Sequence, residues 1–463
     1  MTTINPTIFR AYDIRGVVDR DLSVPVYERL GQAAGTYFRS LGGRRIVVAR
    51  DARLTSPAFA AALIDGLRST GCDVVDLGMV PTPVMYFALS YLRADGGAVV
   101  TASHNPPEFN GLKLRRSDPH FGGEPLDGAA IQEVGRIALS GEFASGSGSY
   151  EQHDIADAYV ADIARHLRLE RPVTIVLDGG NGVAGPIGMR TFQAIGCEVI
   201  PLYIEPDGRF PNHHPDPLKE ENLADLKQAV VQHGAALGIS LDGDGDRLGV
   251  VDGSGTMIFA DRYMIVLARH LLQRGPAPII YDVKCSSVLE QAVRAFGGTP
   301  VMWKTGYTNG SAKMRELGAP LAGELSGHIF GSVEHHYYDD GTFAGCLLLK
   351  ALEQSGQTLQ EALAPYPPLP SLSEGRIHYD EALKFKAIDY IYATFSPHYP
   401  VSTIDGVRVD FGDGWGLLRA SNTEPAITSR FEATTWERAT QIRDQMLAAL
   451  HEFERSERAS TDV

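Results

Sequence analysis

Residues 45–78, RIVVARDARLTSPAFAAALIDGLRSTGCDVVDLG, decide the fold because their pattern returns twice along the chain. An apolar run leads into a polar loop at Asp51, then into apolar residues at helical spacing, a glycine and a second apolar run. The same plan recurs at residues 173–203 around Asp178 and at residues 278–306 around Asp282. A strand, a helix and a second strand in that order favour a right-handed parallel crossover. The sequence therefore predicts three related α/β units.

In each repeat a third apolar run follows and leads directly into a polar loop. These segments are GGAVVTASHNP (96–106), ALGISLDGDGDRLG (236–249) and APLAGELSGHIF (319–330). Ligands of such sheets collect at the carboxyl ends of the strands. We therefore expect the three loops to face one cleft.

The pattern changes after the Pro-rich segment at residues 366–375. Segments of alternating polarity read as antiparallel strands, and an amphipathic helical pattern closes the chain. The predicted fold class is α/β, with three related mixed-sheet α/β domains and a C-terminal α+β domain around a central cleft. The predicted domains are residues 1–150, 151–254, 255–366 and 367–463.

Composition and charge narrow the classes of partner. The 463 residues carry a formal net charge of −15, which argues against nucleic acid and anionic membrane surfaces as partners. No stretch of the sequence approaches 18 apolar residues, and the first 16 residues lack the apolar core of a signal peptide. We therefore expect a cytoplasmic protein. The four cysteines are scattered, which argues against a disulfide framework and a zinc site.

The segment LDGDGDRLG places Asp242, Asp244 and Asp246 at alternate positions, which point to one side of an extended chain. Three carboxylates held close together need a cation, and their oxygens favour Mg²⁺, with Ca²⁺ as the alternative. An EF-hand loop starting at Asp242 would need glycine and glutamate where the chain has Arg247 and Gly253. A solvated acidic turn is the remaining interpretation.

Ser103 lies in TASHNPPEFNGLKL (101–114), a segment rich in turn-forming residues, so a structural turn is one interpretation. The segment lacks the G-x-S-x-G elbow of hydrolases, and on an extended chain His104 would point away from Ser103. A serine that exchanges a phosphoryl group beside a divalent metal instead needs cationic neighbours. Lys113 and Arg247 could supply them.

Two further loops carry polar side chains suited to a phosphosugar. In GELSGH, Glu324 and Ser326 lie on one face of an extended segment and could bind sugar hydroxyls, with His328 beside them. Near the C-terminus, one loop and the next strand concentrate the donors that a phosphate dianion requires, although an ordinary polar turn is the alternative. These donors are Arg419, Ser421, Asn422, Thr423 and Arg430.

Together these motifs carry a resemblance to a known family. TASHNPPEFNGLKL, DGDGDR, GELSGH and RASNTEP, in this order, resemble the four signature loops of the α-D-phosphohexomutase superfamily. FRAYDIRG (9–16) matches its usual opening, and the resemblance covers essentially the whole chain. A GE-x-SGH loop with an apolar third residue, here Leu325, resembles the bacterial phosphomannomutase/phosphoglucomutase branch.

The resemblance implies a heart-shaped monomer whose last domain is TATA-binding-protein-like. It implies an isomerase of carbohydrate metabolism that interconverts hexose 1-phosphates and hexose 6-phosphates, of mannose and/or glucose. The enzyme would be a phosphoprotein, with a phosphoserine at Ser103 and hexose 1,6-bisphosphate as intermediate and activator. One Mg²⁺ per chain would be bound by Asp242, Asp244 and Asp246 with an oxygen of the Ser103 phosphoryl group.

The resemblance also implies roles for individual residues. The catalytic set is Ser103, Lys113, Arg15, Arg247 and His328, with His328, Lys113 and Arg15 as candidates for the general acid and base. The substrate-binding set is Tyr12, Lys284, Gly306, Tyr307, Glu324, Ser326, His328, Arg419, Ser421, Asn422, Thr423 and Arg430.

One residue departs from the pattern of the branch, which commonly has histidine where KTGYTNG has Tyr307. That departure leaves open whether mannose and glucose phosphates are used equally. The alternative functions are a phosphoglucosamine mutase, a metal-dependent sugar phosphatase and a non-catalytic phosphosugar-binding protein.

Overall fold

The protein is described by a computed structural model, in which residues 4–118, 123–331, 337–421 and 425–461 are described. Three units repeat one strand plan. In each unit, the strand that opens the repeat lies between two strands that run parallel to it. The later of these two strands in the chain also pairs with an antiparallel strand, which completes the plan of four strands. The repeat predicted from the sequence is therefore present. The boundaries at residues 150, 254 and 366 stay a prediction.

In the first unit the sheet order is β1-β5-β4-β2-β3-β7, and β6 pairs with β5. Its strands are β1 (Ile14–Val17), β2 (Arg45–Arg50), β3 (Asp73–Met79), β4 (Gly96–Val100), β5 (Phe109–Arg116), β6 (Glu124–Pro125) and β7 (Tyr150–Gln152). Its helices are α1 (Val24–Ser40), α2 (Ser56–Ser69), α3 (Thr82–Tyr91) and α4 (Gly128–Ser140), after a 3₁₀ turn at Pro6–Ile8.

In the second unit the sheet order is β12-β11-β10-β8-β9. Its strands are β8 (Val173–Asp178), β9 (Cys197–Leu202), β10 (Leu237–Leu241), β11 (Leu248–Asp252) and β12 (Met257–Ile258). Its helices are α5 (Ala156–Leu167), α6 (Gly185–Ile195) and α7 (Ala224–His233), with a 3₁₀ turn at Glu220–Leu223.

In the third unit the sheet order is β14-β13-β15-β16. Its strands are β13 (Pro278–Asp282), β14 (Thr299–Trp303), β15 (Leu321–Gly323) and β16 (Ile329–Gly331). Its helices are α8 (Ala260–Leu272), α9 (Ser287–Ala295), α10 (Tyr307–Leu317), α11 (Gly341–Ser355) and α12 (Leu359–Leu363).

The fourth unit is an antiparallel sheet in the order β17-β21-β20-β19-β18, covered by helices. Its strands are β17 (Ser371–His378), β18 (Val401–Ser402), β19 (Val407–Asp410), β20 (Gly414–Ala420) and β21 (Ala426–Ala433). Its helices are α13 (Lys384–Phe395) and α14 (Trp436–Thr461). Because β17 begins at Ser371, the second half of the Pro-rich segment at residues 366–375 is strand.

The central strands are buried on both faces, which explains their nearly continuous apolar sequences. Every residue of β4 and of β10 is buried. One apolar cluster runs through the first three units and includes Tyr86, Ile239 and Tyr281. The fourth unit has a separate core around Ile427 and Ile442. No helix in the described part of the chain is long and apolar enough to cross a bilayer.

The strand plan places three equivalent loops at corresponding positions. Each loop connects the last parallel strand of the plan to its antiparallel partner: β4 to β5, β10 to β11 and β15 to β16. They span residues 101–108, 242–247 and 324–328. A Cβ on Gly243 would lie 2.5 Å from the Ser103 carbonyl oxygen, so the first two loops are in contact and the contact requires glycine. Arg247 and His328 form a backbone bridge between the second and third loops.

Candidate active site

Ser103 lies in a turn at the end of β4, and its side chain faces the second unit. Its Oγ donates a hydrogen bond to Asp242 Oδ2 at 2.6 Å, and the residue is 2% exposed. Its backbone has a left-handed φ of 49°, and its N–H donates to Thr101 Oγ1 at 2.9 Å. The turn also brings His104 Nδ1 to 3.3 Å from the Ser103 Oγ. The expectation that His104 points away was wrong, because this segment is not extended.

The three aspartates follow β10 and are fully buried. One carboxylate oxygen from each lies within 4.8 Å of the other two, as a metal site requires. They converge through a turn in which Gly245 has a φ of 83°, and not through an extended segment. Asp242 Oδ1 accepts hydrogen bonds from the N–H groups of Gly245 and Arg247, which fixes the turn.

The electrostatics of this cluster favour a bound cation. Burial, together with the charges of Asp246 and Asp244, raises the pKa of Asp242 well above its usual range. Asp244 Oδ1 and Asp246 Oδ1 are buried and accept no hydrogen bond from the residues that the structure describes. Lys113 Nζ donates to Asp244 Oδ2 at 2.8 Å and to Asp246 Oδ2 at 2.5 Å. One ammonium against three carboxylates leaves negative charge and two free oxygens, which suit a hard divalent metal.

Arg247 and His328 are joined beside the cluster. Arg247 Nε donates to His328 Nε2 at 2.9 Å, so the ring proton lies on Nδ1, which is 2.7 Å from Asp339 Oδ2. Burial lowers the pKa of His328, but Asp246 and Asp339 outweigh it and raise the pKa above its usual value. The predicted catalytic histidine is therefore held by an acidic residue that the sequence analysis did not identify.

Arg15 approaches the serine loop from β1. Its Nη1 donates to Asn105 Oδ1 at 2.6 Å, and its Nη2 donates to Asp13 Oδ2 at 2.5 Å. Burial lowers the pKa of Arg15, and the negative charges of Asp13 and Asp244 more than compensate. A protonated guanidinium is thus held next to the Ser103 loop.

The third unit contributes Gly306, Tyr307, Glu324 and Ser326. Glu324 accepts from the Gly306 N–H and from Ser326 Oγ, both at 2.8 Å, and burial raises the pKa of this carboxyl group. The Tyr307 hydroxyl donates to the Tyr12 carbonyl at 2.9 Å. The Tyr307 ring centre lies 5.4 Å from Lys113 Nζ. Tyr307 therefore contacts residues of the first unit from the start of α10.

Lys284 and Arg419, the first residue of the predicted phosphate loop (residues 419–423), lie where the third and fourth units meet. Lys284 Nζ lies 3.3 Å from Glu374 Oε2 and 3.9 Å from Asp282 Oδ2. Arg419 Nε lies 2.7 Å from Asp405 Oδ2, which also accepts from the Thr305 N–H at 2.9 Å.

The remaining predicted phosphate ligands lie on the same unit. Ser421 is buried and its carbonyl accepts from Lys384 Nζ at 2.6 Å. Arg430 is also buried, on β21 opposite Leu417. Asn422 and Thr423 lie outside the described residues.

Side-chain contacts connect the four loops in series. Ser103 contacts Asp242, Lys113 contacts Asp244 and lies against Tyr307, and the Tyr12 hydroxyl lies 3.5 Å from the Thr305 carbonyl. Asp405 then joins Thr305 to Arg419. The Ser103 loop, the acidic cluster, the start of α10 and the first residue of the predicted phosphate loop are thus parts of one region.

Sequence reasoning missed several residues of this region. Asp339, Asp405 and Asp13 position charged side chains, yet each reads as an ordinary surface or cap aspartate in the sequence. Arg53, which is 1% exposed, also contacts the serine loop. The sequence did contain one signal for Arg53. It stands two residues after Asp51 in the first repeat, just as Lys284 stands two residues after Asp282 in the third repeat.

Four domain models of one protein family match successive parts of the chain. The phosphoglucomutase/phosphomannomutase α/β/α domains I, II and III match residues 6–144, 157–255 and 259–369, and the C-terminal domain of that family matches residues 375–449. A phosphomannomutase/phosphoglucomutase of Pseudomonas aeruginosa is 43% identical over 443 residues, which is 95% of each chain. A phosphoglucomutase of Neisseria gonorrhoeae is 39% identical over 97% of this chain and 98% of its own.

The solved structures agree with the sequence relatives. A phosphoglucomutase/phosphomannomutase family protein of Burkholderia thailandensis superposes with a TM-score of 0.90 at 45% identity, over 97% of this chain and 98% of that one. A putative phosphomannomutase of Thermus thermophilus superposes with a TM-score of 0.79 at 26% identity, over 98% and 99% of the two chains.

Proposed function

The chain belongs to the phosphoglucomutase/phosphomannomutase family and is a phosphohexomutase, and from that premise we propose that Ser103 carries the transferred phosphoryl group. The observation that carries this proposal is the 2.6 Å hydrogen bond from Ser103 Oγ to Asp242, within a cluster of three buried carboxylates. A hydroxyl in that place lies directly beside a site suited to a divalent cation. The same geometry disfavours a purely structural turn.

Asp242, Asp244 and Asp246 would hold Mg²⁺, together with an oxygen of the group on Ser103. When bound, the ion would neutralise negative charge on that group and stabilise the charge that develops during transfer. Lys113 and Arg15 direct further positive charge at the same place. Arg247, held by its bond to His328, adds a third cation.

The reaction consists of two phosphoryl transfers. With a hexose 1-phosphate bound, the bond between Ser103 Oγ and phosphorus breaks and a bond from the sugar O6 to phosphorus forms. The O6 hydroxyl proton leaves to a base, and Ser103 Oγ gains a proton from an acid. The hexose 1,6-bisphosphate then reorients. Ser103 Oγ loses its proton to a base and takes the phosphoryl group from O1, O1 gains a proton, and hexose 6-phosphate is released with the phosphoserine restored.

Proton transfer to and from the sugar hydroxyls requires a general acid and a general base. His328, Lys113 and Arg15 are the candidates, and all three are buried within the same region. The pH–rate profiles of His328→Asn, Lys113→Met and Arg15→Lys distinguish the three candidates. Loss of the general base should remove the acidic limb of the profile, and loss of the general acid should remove the basic limb.

Glu324 and Ser326 would bind sugar hydroxyls, with Lys284, Gly306 and Tyr12 completing the sugar site. The phosphate that does not react would be held by the fourth unit, through Arg419, Ser421, Asn422, Thr423 and Arg430. Reorientation of the bisphosphate requires that one set of donors accept a phosphate from either end of the sugar.

The substrates we propose are the phosphates of mannose and glucose, because the similar proteins are named as phosphomannomutase/phosphoglucomutase and phosphoglucomutase. A cytoplasmic location and a monomeric state belong to the same proposal. Light scattering of the purified protein tests the oligomeric state.

A coupled mutase assay tests the function. Mannose 1-phosphate and glucose 1-phosphate are each supplied with Mg²⁺ and a trace of hexose 1,6-bisphosphate, and formation of the 6-phosphate is followed. Release of inorganic phosphate without isomerisation would indicate the phosphatase alternative, and turnover of glucosamine 1-phosphate alone would indicate a phosphoglucosamine mutase. Undiminished turnover by Ser103→Ala would rule out the phosphoserine.

A further inference from the structure

Arg53 is a buried cation of the first unit that has no place in the mechanism above. It lies in the loop that follows β2, and both it and Asp51 are almost completely buried. Its Nε donates to Asp51 Oδ2 at 3.1 Å, and its N–H donates to Asp51 Oδ1 at 3.0 Å. The carboxylate therefore compensates the buried charge and fixes the direction of the guanidinium.

The rest of the guanidinium is bound to the Ser103 loop. Its Nη2 donates to the carbonyls of Ser103 and Asn105 at 2.8 and 2.6 Å. Its Nη1 donates to the carbonyls of Pro106 and Phe109 at 2.6 and 3.0 Å. With the bond to Asp51, all five N–H groups of Arg53 are used. The side chain thus supplies the hydrogen-bond donors for four backbone carbonyls at residues 103–109.

This loop needs external support. Ser103 is held in the left-handed region, which is strained for a residue other than glycine. The same carbonyl that Arg53 binds lies against Gly243 of the metal loop. A shift of that carbonyl would move Ser103 Oγ relative to Asp242, and phosphoryl transfer requires in-line geometry.

The second unit contacts Arg53 through Gly208 and Phe210. The Phe210 ring centre lies 5.3 Å from Arg53 Cζ, a cation–π contact. A Cβ on Gly208 would lie 2.4 Å from the Ala52 carbonyl oxygen and 2.6 Å from Arg53 Cα. Residues 208–210 therefore lie directly on the Arg53 loop.

We propose that Arg53 is a positioning residue for phosphoryl transfer: it holds the Ser103 loop in its reactive conformation, and Phe210 holds Arg53 in place. The inference rests on the proposed function, because it assumes that Ser103 carries the phosphoryl group. Lysine cannot replace Arg53, because its ammonium presents three donors from one point and cannot bind four carbonyls along a plane.

The test compares R53K, F210L and Ser103→Ala in the full-length enzyme with Mg²⁺. The rate at which hexose 1,6-bisphosphate phosphorylates the serine is measured by intact mass, alongside kcat and KM for glucose 1-phosphate. We expect R53K to slow phosphorylation and kcat about 100-fold, while KM stays within about threefold, since the phosphate loop is untouched. F210L should show the same split with a loss of about fivefold, because the cation–π contact is worth about 1 kcal/mol.

Arg68→Lys is the matched control. Arg68 also lies over an aromatic ring, that of Tyr150, and donates to a backbone carbonyl, that of Gly148, but it does not contact the serine loop. Its kcat should equal that of the wild type. A merely structural role for Arg53 would lower the melting temperature and leave kcat per folded molecule unchanged.

The outcomes separate the two proposals. If Ser103→Ala turns over normally, the phosphoserine mechanism fails. If Ser103→Ala is inactive while R53K has a wild-type kcat, the role of Arg53 alone is overturned. If R53K does not fold, F210L decides, and an unchanged kcat in F210L overturns the inference.

Discussion

Lys113 brings one positive charge into a cluster of three carboxylates. It contacts Asp244 and Asp246, whereas Asp242 is held by Ser103 and by backbone N–H groups. Two carboxylate oxygens of the cluster stay without a donor among the described residues. At the scale of single residues, therefore, two buried carboxylate oxygens are available to a further cation.

Removal of one carboxylate should abolish the metal dependence. We expect Asp244→Asn to lower kcat about 1000-fold, since the metal supplies several kcal/mol of charge stabilisation. Mg²⁺ should raise the free energy of unfolding of the wild type by about 2.7 kcal/mol at 100 times its dissociation constant, and not raise that of the variant. Activity and chemical denaturation with and without Mg²⁺ measure both effects.

Asp225→Asn is the control for this change. Asp225 belongs to the same unit and accepts a hydrogen bond from the Tyr203 hydroxyl, outside the cluster. A normal Mg²⁺ response in Asp244→Asn would contradict the metal assignment.

Tyr307 is the residue that departs from the motif pattern expected from the resemblance. Because its hydroxyl donates to the Tyr12 carbonyl, we expect it to give no hydrogen bond to the sugar. Tyr307→Phe should lower kcat/KM for mannose 1-phosphate and for glucose 1-phosphate by the same factor, about fivefold, the value of one hydrogen bond. Parallel kinetics with both sugars check this, and a change in their ratio would show that the hydroxyl reads the sugar.

At the scale of elements, the loops at the strand ends are supported by loops behind them. His213 Nε2 lies 2.9 Å from Asp178 Oδ2 at the end of β8, and Pro215 packs near Gly243 of the metal loop. The His213–Asp178 pair therefore joins a supporting loop to the end of β8.

The His213 pair predicts a pH dependence of stability. Burial lowers the pKa of His213, but Asp178 raises it by more, so the net shift is upward from 6.5. The pair therefore contributes its full stabilisation below the unfolded pKa of about 6.5, and this is lost as pH rises through the folded pKa. We expect His213→Gln to flatten the decline in the free energy of unfolding above that pH.

Urea denaturation at a series of pH values measures this decline. His451→Gln, a change at an exposed position on α14, should leave the wild-type slope intact. An unaltered slope in His213→Gln would mean that another group is responsible.

The elements themselves were largely predictable, because strand and helix periods and the glycine stops recur in each repeat. After α9, for example, the left-handed residue is Gly297. The site was predictable where one motif carries several polar residues, as at Asp242, Asp244 and Asp246. It was not predictable where one residue acts across distant segments, because the contacts of Arg53 and Asp339 exist only after the chain has folded.

At the scale of the molecule, the fourth unit joins the third through buried polar groups and through a small apolar cluster of Val283, Trp415 and Leu417. Glu432 accepts from the Ser287 N–H, Ser287 Oγ and Trp415 Nε1. Arg408 donates to the Val283 carbonyl at 2.6 Å and lies over the Trp415 ring. The phosphate loop is therefore held at a defined distance from the sugar loop.

Arg419 should serve both ends of the substrate. We expect Arg419→Ala to raise KM for glucose 1-phosphate and for glucose 6-phosphate alike, about 10- to 100-fold, the value of a charged hydrogen bond. Initial rates in both directions measure this. Arg438→Ala, which removes an arginine of the same unit paired with Asp413, should leave both constants unchanged. A loss confined to one substrate would contradict a bisphosphate that turns over in the cleft.

The ammonium of Lys113 has a practical consequence for handling the enzyme. Because it already offsets part of the repulsion between Asp244 and Asp246, a chelator should silence catalysis without dismantling the cleft. The protein without metal would then be inactive but folded, and its activity should return within the mixing time when a magnesium salt is added.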